Sequence, residues 1–357
     1  MSSVIGNNIK LSVFGESHGT AVGCVIDGLP AGIELDFDGI NKEMQRRAPG
    51  RDKSSTPRKE DDIPEILTGV LNGKTTGAPL AAVIRNNNTK SGDYENLMKV
   101  PRPSHSDYPA FVKFKGNNDV RGGGHFSARL TAPIVFAGAI AKQILREKGI
   151  TVGAHIKKIG SACDEGFDFN DISKELLLGL SSKNFSVINE KSEEKMRGEI
   201  EKYRLEGNSV GGEIECAVIG LPVGVGGNIF DTVEGRISSF IFGVPAVKGI
   251  QFGLGFGFAE QNGAAVNDEY GIKDGKIALL SNNNGGVLGG MTNGAPIVFS
   301  VAMKPTPSIS IPQKSVNLQT MENEELVIKG RHDPCVAVRA VPVIEAAAAL
   351  AILDIIL

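Results

Sequence analysis

The stretch APIVFAGAIAKQIL, residues 132–145, decides the fold, because apolar side chains occur on nearly every face of the helix that it predicts. A helix that is apolar all round is buried in a core or in a membrane. We predict a central, buried helix from about Ser127 to Gly149. The C-terminal stretch VIEAAAALAILDIIL, residues 343–357, is also apolar, but it is too short to span a bilayer, and Glu345 and Asp354 interrupt it. We therefore predict a second buried helix and no membrane partner.

Short apolar segments of strand type lie on both sides of the central stretch. Residues 21–26 and 80–84 are predicted strands. Residues 213–218 alternate between apolar and polar, which is typical of a half-buried antiparallel strand. Asp36 or Asp38 is suited to cap a helix that follows it. This mixture predicts helices packed on antiparallel sheets.

A sequence echo indicates an internal duplication. VIDGLPAG at 25–32 is followed by Phe37-Asp38, and VIGLPVG at 218–224 is followed by Phe230-Asp231. In both places an apolar run ends at a Leu-Pro turn, and an Asp-capped helix is predicted next. We predict one domain, 1–357, with pseudo-repeat halves at about 1–160 and 208–357 and a charged, peripheral helical insertion at about 164–207.

The charge balance argues against nucleic acid as a partner. The chain has 38 Lys and Arg, 41 Asp and Glu, and a formal net charge of −3, so no basic field covers the whole molecule. Its four cysteines include no CxxC pair, which is typical of reduced thiols in the cytoplasm rather than of disulfides or a zinc site. The sequence has neither a dinucleotide-binding glycine fingerprint nor a GxxxxGK[ST] phosphate loop. We expect a cytoplasmic protein without a metal site.

Two histidines lie in segments that suit chemistry. FGESHGTAVG, residues 14–23, places His18 between glycines that allow a ligand close to the backbone. Because imidazole changes charge near neutral pH, His18 is suited to act as a general acid on an anionic leaving group. The alternative is a loop histidine bonded to the backbone. His105, in RPSHSDY at 102–108, has Asp107 nearby to support a protonated ring, but this segment alone is equally consistent with a structural role.

Further segments carry cations and hydroxyls. RGGGHFSAR, residues 121–129, precedes the central helix, and free N–H groups at a helix N-terminus would suit a phosphate; the alternative is a flexible linker. Arg331 or Arg339 beside Asp333 would hold that carboxylate ionised, as a general base requires. This inventory predicts proton transfer on a strongly anionic substrate. The other cationic segments are RRAPGRDKSSTPRK (46–59), KPTPS (304–308) and KGRHDPC (329–335).

Together these segments resemble the chorismate synthase family. GESHGTAVGCVIDGLP (15–30), GHFSARLTAPIVFAGAI (124–140) and RHDPCVAVRAVPVIEAA (331–347) are similar to the three signature segments of the family, in order and at its spacing. The RPSHSDY, LGGMTNG and KPTPS stretches match as well. The resemblance covers essentially the whole chain.

The resemblance implies an α+β fold, a β-α-β sandwich with central helices between antiparallel sheets and internal pseudo-symmetry. It implies a lyase that converts 5-enolpyruvylshikimate 3-phosphate to chorismate and phosphate by anti 1,4-elimination, the last step of the shikimate pathway to aromatic amino acids. The family requires reduced FMN although no net redox change occurs. Some members reduce their own flavin with NADPH, which this sequence leaves open. The implied assembly is a homotetramer.

Matched position by position, the resemblance also implies residue roles. His18 would protonate the departing phosphate, His105 would protonate the reduced flavin, and Asp333 would act with flavin N5 to remove the ring proton. The residues implied to bind substrate anions are Ser17, Arg47, Arg58, Arg102, Arg129 and Arg331. The residues implied to contact FMN are His125, Phe126, Ser127, Pro245, Ala246, Gly289, Lys304, Pro305, Thr306, Pro307, Ser308 and Arg331.

Several positions depart from the family pattern. His125 stands where the family commonly has Arg, so we expect it to contact the FMN phosphate only when protonated. Two alternatives to the lyase are a non-catalytic protein that binds anions or flavin, and an ordinary flavin oxidoreductase. The joint presence of both histidines and the carboxylate favours the lyase. The other departures are Phe126 for Ser, Leu130 for Glu, Lys53 for Arg and Pro307 for Ser.

Overall fold

Two long helices at the centre organise the fold. The computed structural model describes residues 3–50, 62–87, 96–273, 275–328 and 333–357. The helices are α1 (Phe37–Arg47), α2 (Asp107–Lys113), α3 (Thr131–Glu147), α4 (Lys174–Ser182), α5 (Glu190–Leu205), α6 (Val233–Phe242), α7 (Gly263–Val266) and α8 (Ala337–Ile356). Shorter 3₁₀ segments are Arg121–Phe126, Ala128–Leu130 and Gly255–Glu260.

Antiparallel strands form the outer layers. The strands are β1 (Val4–Ile5), β2 (Lys10–Gly15), β3 (Ala21–Asp27), β4 (Pro64–Thr68), β5 (Val70–Leu71), β6 (Lys74–Thr75), β7 (Leu80–Arg85), β8 (Thr151–Ile159), β9 (Ala162–Cys163), β10 (Gly212–Ile219), β11 (Val247–Phe252), β12 (Tyr270–Lys273), β13 (Lys276–Leu279), β14 (Val287–Leu288), β15 (Met291–Thr292), β16 (Ile297–Met303), β17 (Gln313–Asn317) and β18 (Glu322–Leu326). One five-stranded sheet has the order β1-β2-β3-β7-β4, and the other has the order β11-β16-β10-β8-β9.

Helices α3 and α8 pack directly on each other, with α1 and α6 beside them. Gly138 makes this contact close, since a Cβ there would lie 2.2 Å from the Cβ of Ala346. Inward side chains of both sheets, such as Cys24 and Cys216, belong to the same core as the helices. The predicted α+β sandwich, with its central apolar helices, is confirmed.

The predicted elements differ from the observed ones at their ends and in one cap: Thr232, rather than the predicted Asp231, caps α6 by accepting from the N–H of Gly235 at 2.9 Å. The central helix was expected from about Ser127, but α3 begins at Thr131 after a 3₁₀ turn in which Ser127 Oγ accepts from the N–H of Arg129. Asp36 caps α1 by accepting from the N–H of Gly39 at 2.8 Å. The local capping signals therefore place the helix starts to within a turn.

The two sheets repeat one plan. Read from β9, the second sheet has the order β9-β8-β10-β16-β11. Strand by strand, this order corresponds to β1-β2-β3-β7-β4 of the first sheet. The Leu-Pro turns also match: Thr75 Oγ1 donates to Pro30 O and Thr292 Oγ1 donates to Pro222 O, both at 2.6 Å. Each hydroxyl also accepts, at 2.9 Å, from the N–H three residues after its proline. These contacts support the predicted duplication, while the boundaries of the halves remain predictions.

The predicted insertion covers the outer face of the second sheet. Leu177 and Leu180 of α4 form an apolar cluster with Ala217 and Val298. On α5, Met196 is buried although most of the helix is charged. The segment is therefore peripheral in position, but one side of each helix is part of a core.

Charged residues on the apolar helices pair inside the protein. Glu345 of α8 accepts from both terminal nitrogens of Arg46, at 2.6 and 2.9 Å, and from Lys142 at 2.6 Å. Burial opposes ionisation, but these two cations lower the pKa of Glu345 to about 2. In the described ranges, one helical segment, 128–147, is long and apolar enough to cross a bilayer, and 83% of its most apolar window is buried inside the protein.

Candidate active site

A large cavity of about 1540 Å³ brings together most of the predicted site residues. Its walls come from the loop after β2, the 3₁₀ segment Arg121–Phe126, the end of α6 and the loop after β16. The predicted residues that line it are Ser17, Arg47, Arg102, His105, His125, Phe126, Ser127, Arg129, Pro245, Ala246, Lys304, Thr306, Pro307, Ser308 and Asp333.

A few predicted residues lie elsewhere. His18 and Pro305 are not part of the lining, although the residues next to them in sequence, Ser17, Lys304 and Thr306, are. Gly289 belongs to the β14–β15 hairpin, which contacts the start of α6, because the N–H of Val233 donates to Gly290 O at 2.9 Å. The cavity meets the opposite end of α6, and Gly289 is not part of its lining. The predicted residues Arg58 and Arg331, with Lys53, lie outside the described residues.

The triple glycine forms a tight turn between the two histidines. Gly122, Gly123 and Gly124 have φ values of 59°, 88° and 54°, in the left-handed region that favours glycine. A Cβ on Gly122 would lie 2.5 Å from His18 Cδ2, and a Cβ on Gly123 would lie 3.3 Å from His105 Nε2. His18 and His105 therefore contact adjacent glycines of one turn.

This arrangement corrects the expectation that the glycines present N–H groups at a helix N-terminus. Helix α3 begins at Thr131, several residues later. The N–H of Ser17 instead donates to Gly124 O at 3.1 Å, which ties the His18 loop to the turn. The absence of side chains, rather than a helix dipole, is what the glycines supply here.

His105 is fixed by a carboxylate and an arginine. Its Nδ1 lies 2.5 Å from Asp107 Oδ1, so a proton on Nδ1 is donated to Asp107 and Nε2 is left facing Gly123. Arg102 donates to both oxygens of Asp107, at 2.7 and 2.8 Å, and to Ser308 Oγ at 3.2 Å. Burial would raise the pKa of Asp107, but hydrogen bonds from Arg102 and His105 hold it well below its usual range.

Two further arginines share a buried carboxylate. Arg47 donates to Asp62 at 2.5 Å, and Arg129 also donates to Asp62. Burial lowers the pKa of Arg47 to about 10. The nearby charges of Arg339 and Arg129 also lower this pKa, whereas the charge of Asp62 raises it. Burial alone would raise the pKa of Asp62, but Arg47 and Arg129 hold it below its ordinary value. Arg47 and Asp62 are therefore both charged at neutral pH.

Asp333 lies in the cavity lining beside Arg339. Its carboxylate accepts from Arg339 Nη1 at 2.6 Å, as one of the two predicted alternatives requires. Arg339 also donates to Arg47 O at 3.2 Å, and Thr306 donates to Asp333 O at 2.9 Å. Asp333 is thus linked both to an arginine and to the 304–308 loop.

The predicted flavin-contacting residues include Phe126 and His125 at the end of the 3₁₀ segment. Phe126 lines the cavity and contacts Phe114 in a tilted arrangement, with ring centroids 6.2 Å apart and ring planes at 58°. His125 Nδ1 donates to Gly15 O at 2.8 Å, and its Nε2 bonds with Ser3 Oγ at 2.9 Å. Both ring nitrogens therefore already have protein partners, and a contact from His125 to the FMN phosphate stays a prediction.

Some residues of the site carry no motif in the sequence. Lys113 and Lys248 add positive charge to the lining. Asp62 had a usable signal, since it ends the acidic run EDD directly after the basic segment 46–59. In that basic segment, Arg46 pairs with Glu345 in the core while Arg47 reaches the cavity. Within the described ranges, no cluster of residues could hold a metal ion.

Comparison with known proteins identifies the family. The family profile described as chorismate synthase matches residues 9–357. Curated chorismate synthases of Thermococcus kodakarensis and Pyrococcus abyssi are each 46% identical to this chain over 349 residues, which cover 98% of this chain and 96% of theirs. A solved structure described as chorismate synthase matches with a TM-score of 0.77 and 30% identity, over 98% of this chain and 92% of that one. The resemblance noted in the sequence is confirmed: the chain is an enzyme of the chorismate synthase family, a chorismate-forming lyase of aromatic amino acid biosynthesis.

Proposed function

We propose that the cavity binds 5-enolpyruvylshikimate 3-phosphate together with reduced FMN, and that the enzyme releases phosphate and chorismate by anti 1,4-elimination. The observation that carries this proposal is the turn at Gly122 and Gly123, which puts His18 and His105 beside one cavity that is also lined by arginines and by Asp333. A 1,4-elimination needs an acid at the leaving group and a base at the departing proton, and both kinds of group are present.

Substrate anions would be held by the arginines of the lining. The substrate carries two carboxylates and a phosphate, which guanidinium groups bind through paired hydrogen bonds. Arg47 and Arg129 face the cavity as neighbours, and Arg102 lines another part of it. Ser17 adds a hydroxyl beside His18. Arg58 and Arg331 remain proposed contacts on the strength of the resemblance alone.

His18 would protonate the departing phosphate. It is buried next to Ser17 and Gly122, both of which line the cavity. Burial keeps water from the proton that it transfers, and the bare backbone of Gly122 lets the substrate approach.

Asp333 would accept the ring proton, and His105 would hold a proton on the flavin side. Arg339 holds the carboxylate of Asp333 in place in the lining through the 2.6 Å contact. Asp107 fixes the His105 ring so that Nε2 is directed toward the triple-glycine turn. Both groups line the same cavity.

The cavity residues fit an FMN. A volume of about 1540 Å³ exceeds the roughly 300–1,000 Å³ of a typical single-ligand pocket, so there is room for flavin and substrate together. Phe126, Pro245 and Ala246 offer apolar surface for a ring, and Lys304, Thr306 and Ser308 offer a cation and hydroxyls for its polar groups. When bound, reduced FMN would supply an electron-rich ring beside the substrate in a reaction without net redox change.

We also propose a homotetramer located in the cytoplasm. Exposed apolar side chains on the β12–β13 hairpin, including Ile272 and Ile277 at 75% and 76% exposure, support burial against a second copy of the chain. Free cysteines at all four positions are typical of a reducing compartment.

An anaerobic assay tests the proposal. Purified protein, chemically reduced FMN and 5-enolpyruvylshikimate 3-phosphate should yield chorismate and phosphate in equal amounts, and His18→Ala or Asp333→Asn should bind FMN but lose most turnover. Repeating the assay in air with oxidised FMN and NADPH asks whether the protein reduces its own flavin. No product from folded, FMN-binding wild-type protein would refute the proposal and favour a binding protein.

A further inference from the structure

Asp62 is a fully buried carboxylate between two arginines of the cavity. Its side chain has 0% exposure, Oδ2 accepts from Arg47 Nη1 at 2.5 Å, and Oδ1 accepts from Arg129 Nη1. Both arginines line the cavity, whereas Asp62 does not. The carboxylate therefore lies behind the two guanidinium groups, on the side away from the cavity.

We propose that Asp62 is a positioning residue that holds Arg47 and Arg129 as a matched pair for one anionic group of the substrate. This inference rests on the proposed function. It concerns a residue that would not touch the substrate and would act only through the two arginines.

Electrostatic repulsion is the reason that the pair needs Asp62. Arg47 and Arg129 are buried like charges, and Arg339 lies close enough to disfavour the charge on Arg47 further. Without a counterion, buried guanidinium groups would separate or move toward water. Asp62 bonds one oxygen to each arginine, so a single carboxylate both neutralises the pair and fixes its spacing.

Several other hydrogen bonds of the two arginines go to neutral groups. Arg47 Nε donates to Thr131 Oγ1 at 3.1 Å and Nη2 donates to Ala128 O at 3.1 Å. Arg129 Nε donates to Asn86 Oδ1 at 3.0 Å. Each of these groups directs one arginine, and in the described ranges Asp62 is the charged group that contacts both.

The backbone of Asp62 indicates that the surroundings enforce this position. Its φ is 48°, in the left-handed region that non-glycine residues seldom occupy, although Asp tolerates it better than most. Such strain persists only where neighbouring contacts determine the conformation. Here the two ion pairs are those contacts.

The location of Asp62 distinguishes a positioning residue from a carboxylate that competes with the substrate anion for the two arginines. A carboxylate inside the cavity would occupy the place of a substrate anion, and its removal would tighten binding. A carboxylate behind the arginines organises them, and its removal weakens binding. The direction of change in KM therefore distinguishes the two roles.

The test uses Asp62→Asn in the full-length protein, with shikimate 3-phosphate as a non-reacting probe. We expect KM for 5-enolpyruvylshikimate 3-phosphate and the calorimetric Kd of the probe to rise about tenfold or more, which corresponds to about 1.4 kcal/mol. The kcat should fall much less, and the Kd of oxidised FMN should stay unchanged. Asp231→Asn is the control, because Asp231 pairs with Arg236 at 2.6 Å beside the start of α6, away from the cavity.

Unchanged KM and Kd in folded Asp62→Asn, or tighter binding, would overturn the proposal. If that variant fails to fold, Asp62→Glu keeps the charge but displaces it by one methylene, and an unchanged KM there would overturn it equally. If the wild type neither turns over nor binds the probe, the proposed function fails. A crystal structure of either folded variant then decides the Asp62 role, which requires displaced guanidinium groups at Arg47 and Arg129.

Discussion

Among single residues, Gly122 is important because it has no side chain to occupy the space beside the His18 ring. Its φ of 59° disfavours any side chain, and a Cβ would lie 2.5 Å from the His18 ring. We expect Gly122→Ala to lose at least about tenfold in turnover, because the methyl group displaces His18 or Ser17 from the cavity wall. The strain alone should cost only about 1–2 kcal/mol of stability.

Gly32 provides a matched control for that variant. It has a φ of 86°, and nothing lies within 4 Å of where its Cβ would be. Gly32→Ala should therefore show the same order of stability loss in urea unfolding but unchanged turnover in the anaerobic assay. Full turnover by folded Gly122→Ala would mean that the turn does not set the position of His18.

The sequence made the chemical residues predictable where their partners are close along the chain. His105 and Asp107 are two residues apart, and the expected support of the imidazole by this carboxylate is present at 2.5 Å. Contacts between residues that are far apart in the sequence could not be predicted in the same way. Arg46 and Arg47 are adjacent on a helix and point about 100° apart, and only the packing of α1 decides that the first reaches Glu345 and the second reaches the cavity.

At the scale of elements, a buried charge cluster joins the insertion to the second sheet. His155 of β8 lies 3.0 Å from Glu215 of β10 and 3.3 Å from Asp164, which precedes α4 and α5. Asp164 also accepts from the N–H groups of Ile188 and Asn189, at 2.6 and 3.1 Å. Burial would lower the pKa of His155, but Asp164 and Glu215 raise it above its ordinary value.

We expect His155→Asn to lose about 3–5 kcal/mol of unfolding free energy at slightly acid pH, because two buried carboxylates lose their shared cation. Because the pKa of His155 is raised in the folded protein, its charge stabilises the fold fully below the ordinary pKa of about 6.5. This stabilisation is lost as the pH rises through the pKa of His155 in the folded protein. The gap between wild type and variant should therefore narrow in alkaline solution. Urea unfolding of both proteins over a pH series measures this difference in unfolding free energy.

Lys158→Asn serves as the control, since Lys158 is exposed on the same strand and should change little at any pH. A constant gap between wild type and His155→Asn across the pH series would contradict a charged His155. The alternation at residues 213–218 predicted β10, and the charged stretch at about 164–207 predicted the insertion helices, but neither β8 nor the cluster was predicted from the sequence. Glu215 and His155 are direct cross-strand neighbours only because of the register between β10 and β8.

In the molecule as a whole, the two halves share one sheet architecture, but they contribute different residues to the site. The sheets share one strand order, yet the β2–β3 connection supplies His18, whereas the corresponding β8–β10 connection contains β9 and the insertion helices α4 and α5. The second half contributes Asp333 and the 304–308 loop instead. The echo in the sequence could predict the shared plan, because it lies in the turns that build both sheets. It could not show that both halves line one cavity.

The same scale includes the surface that the proposed tetramer would cover. A two-stranded hairpin is marginal on its own in water, and β12–β13 pairs Ile272 with Ile277 on an exposed apolar face. A charge placed there would remain unpaired on burial against another copy of the chain. We therefore expect Ile277→Asp to lower the sedimentation-derived mass from that of a tetramer, with retained helical circular dichroism.

Leu205→Asp is the control for that experiment, because Leu205 is 73% exposed but ends the charged helix α5. A polar neighbourhood gives another copy little apolar area to bury, so this variant should sediment as the wild type does. If Ile277→Asp also sediments unchanged, the hairpin is not an interface. A wild type that sediments as a monomer at micromolar concentration would reject the tetramer itself, and the exposed isoleucines would then have to pack on the protein's own surface in solution.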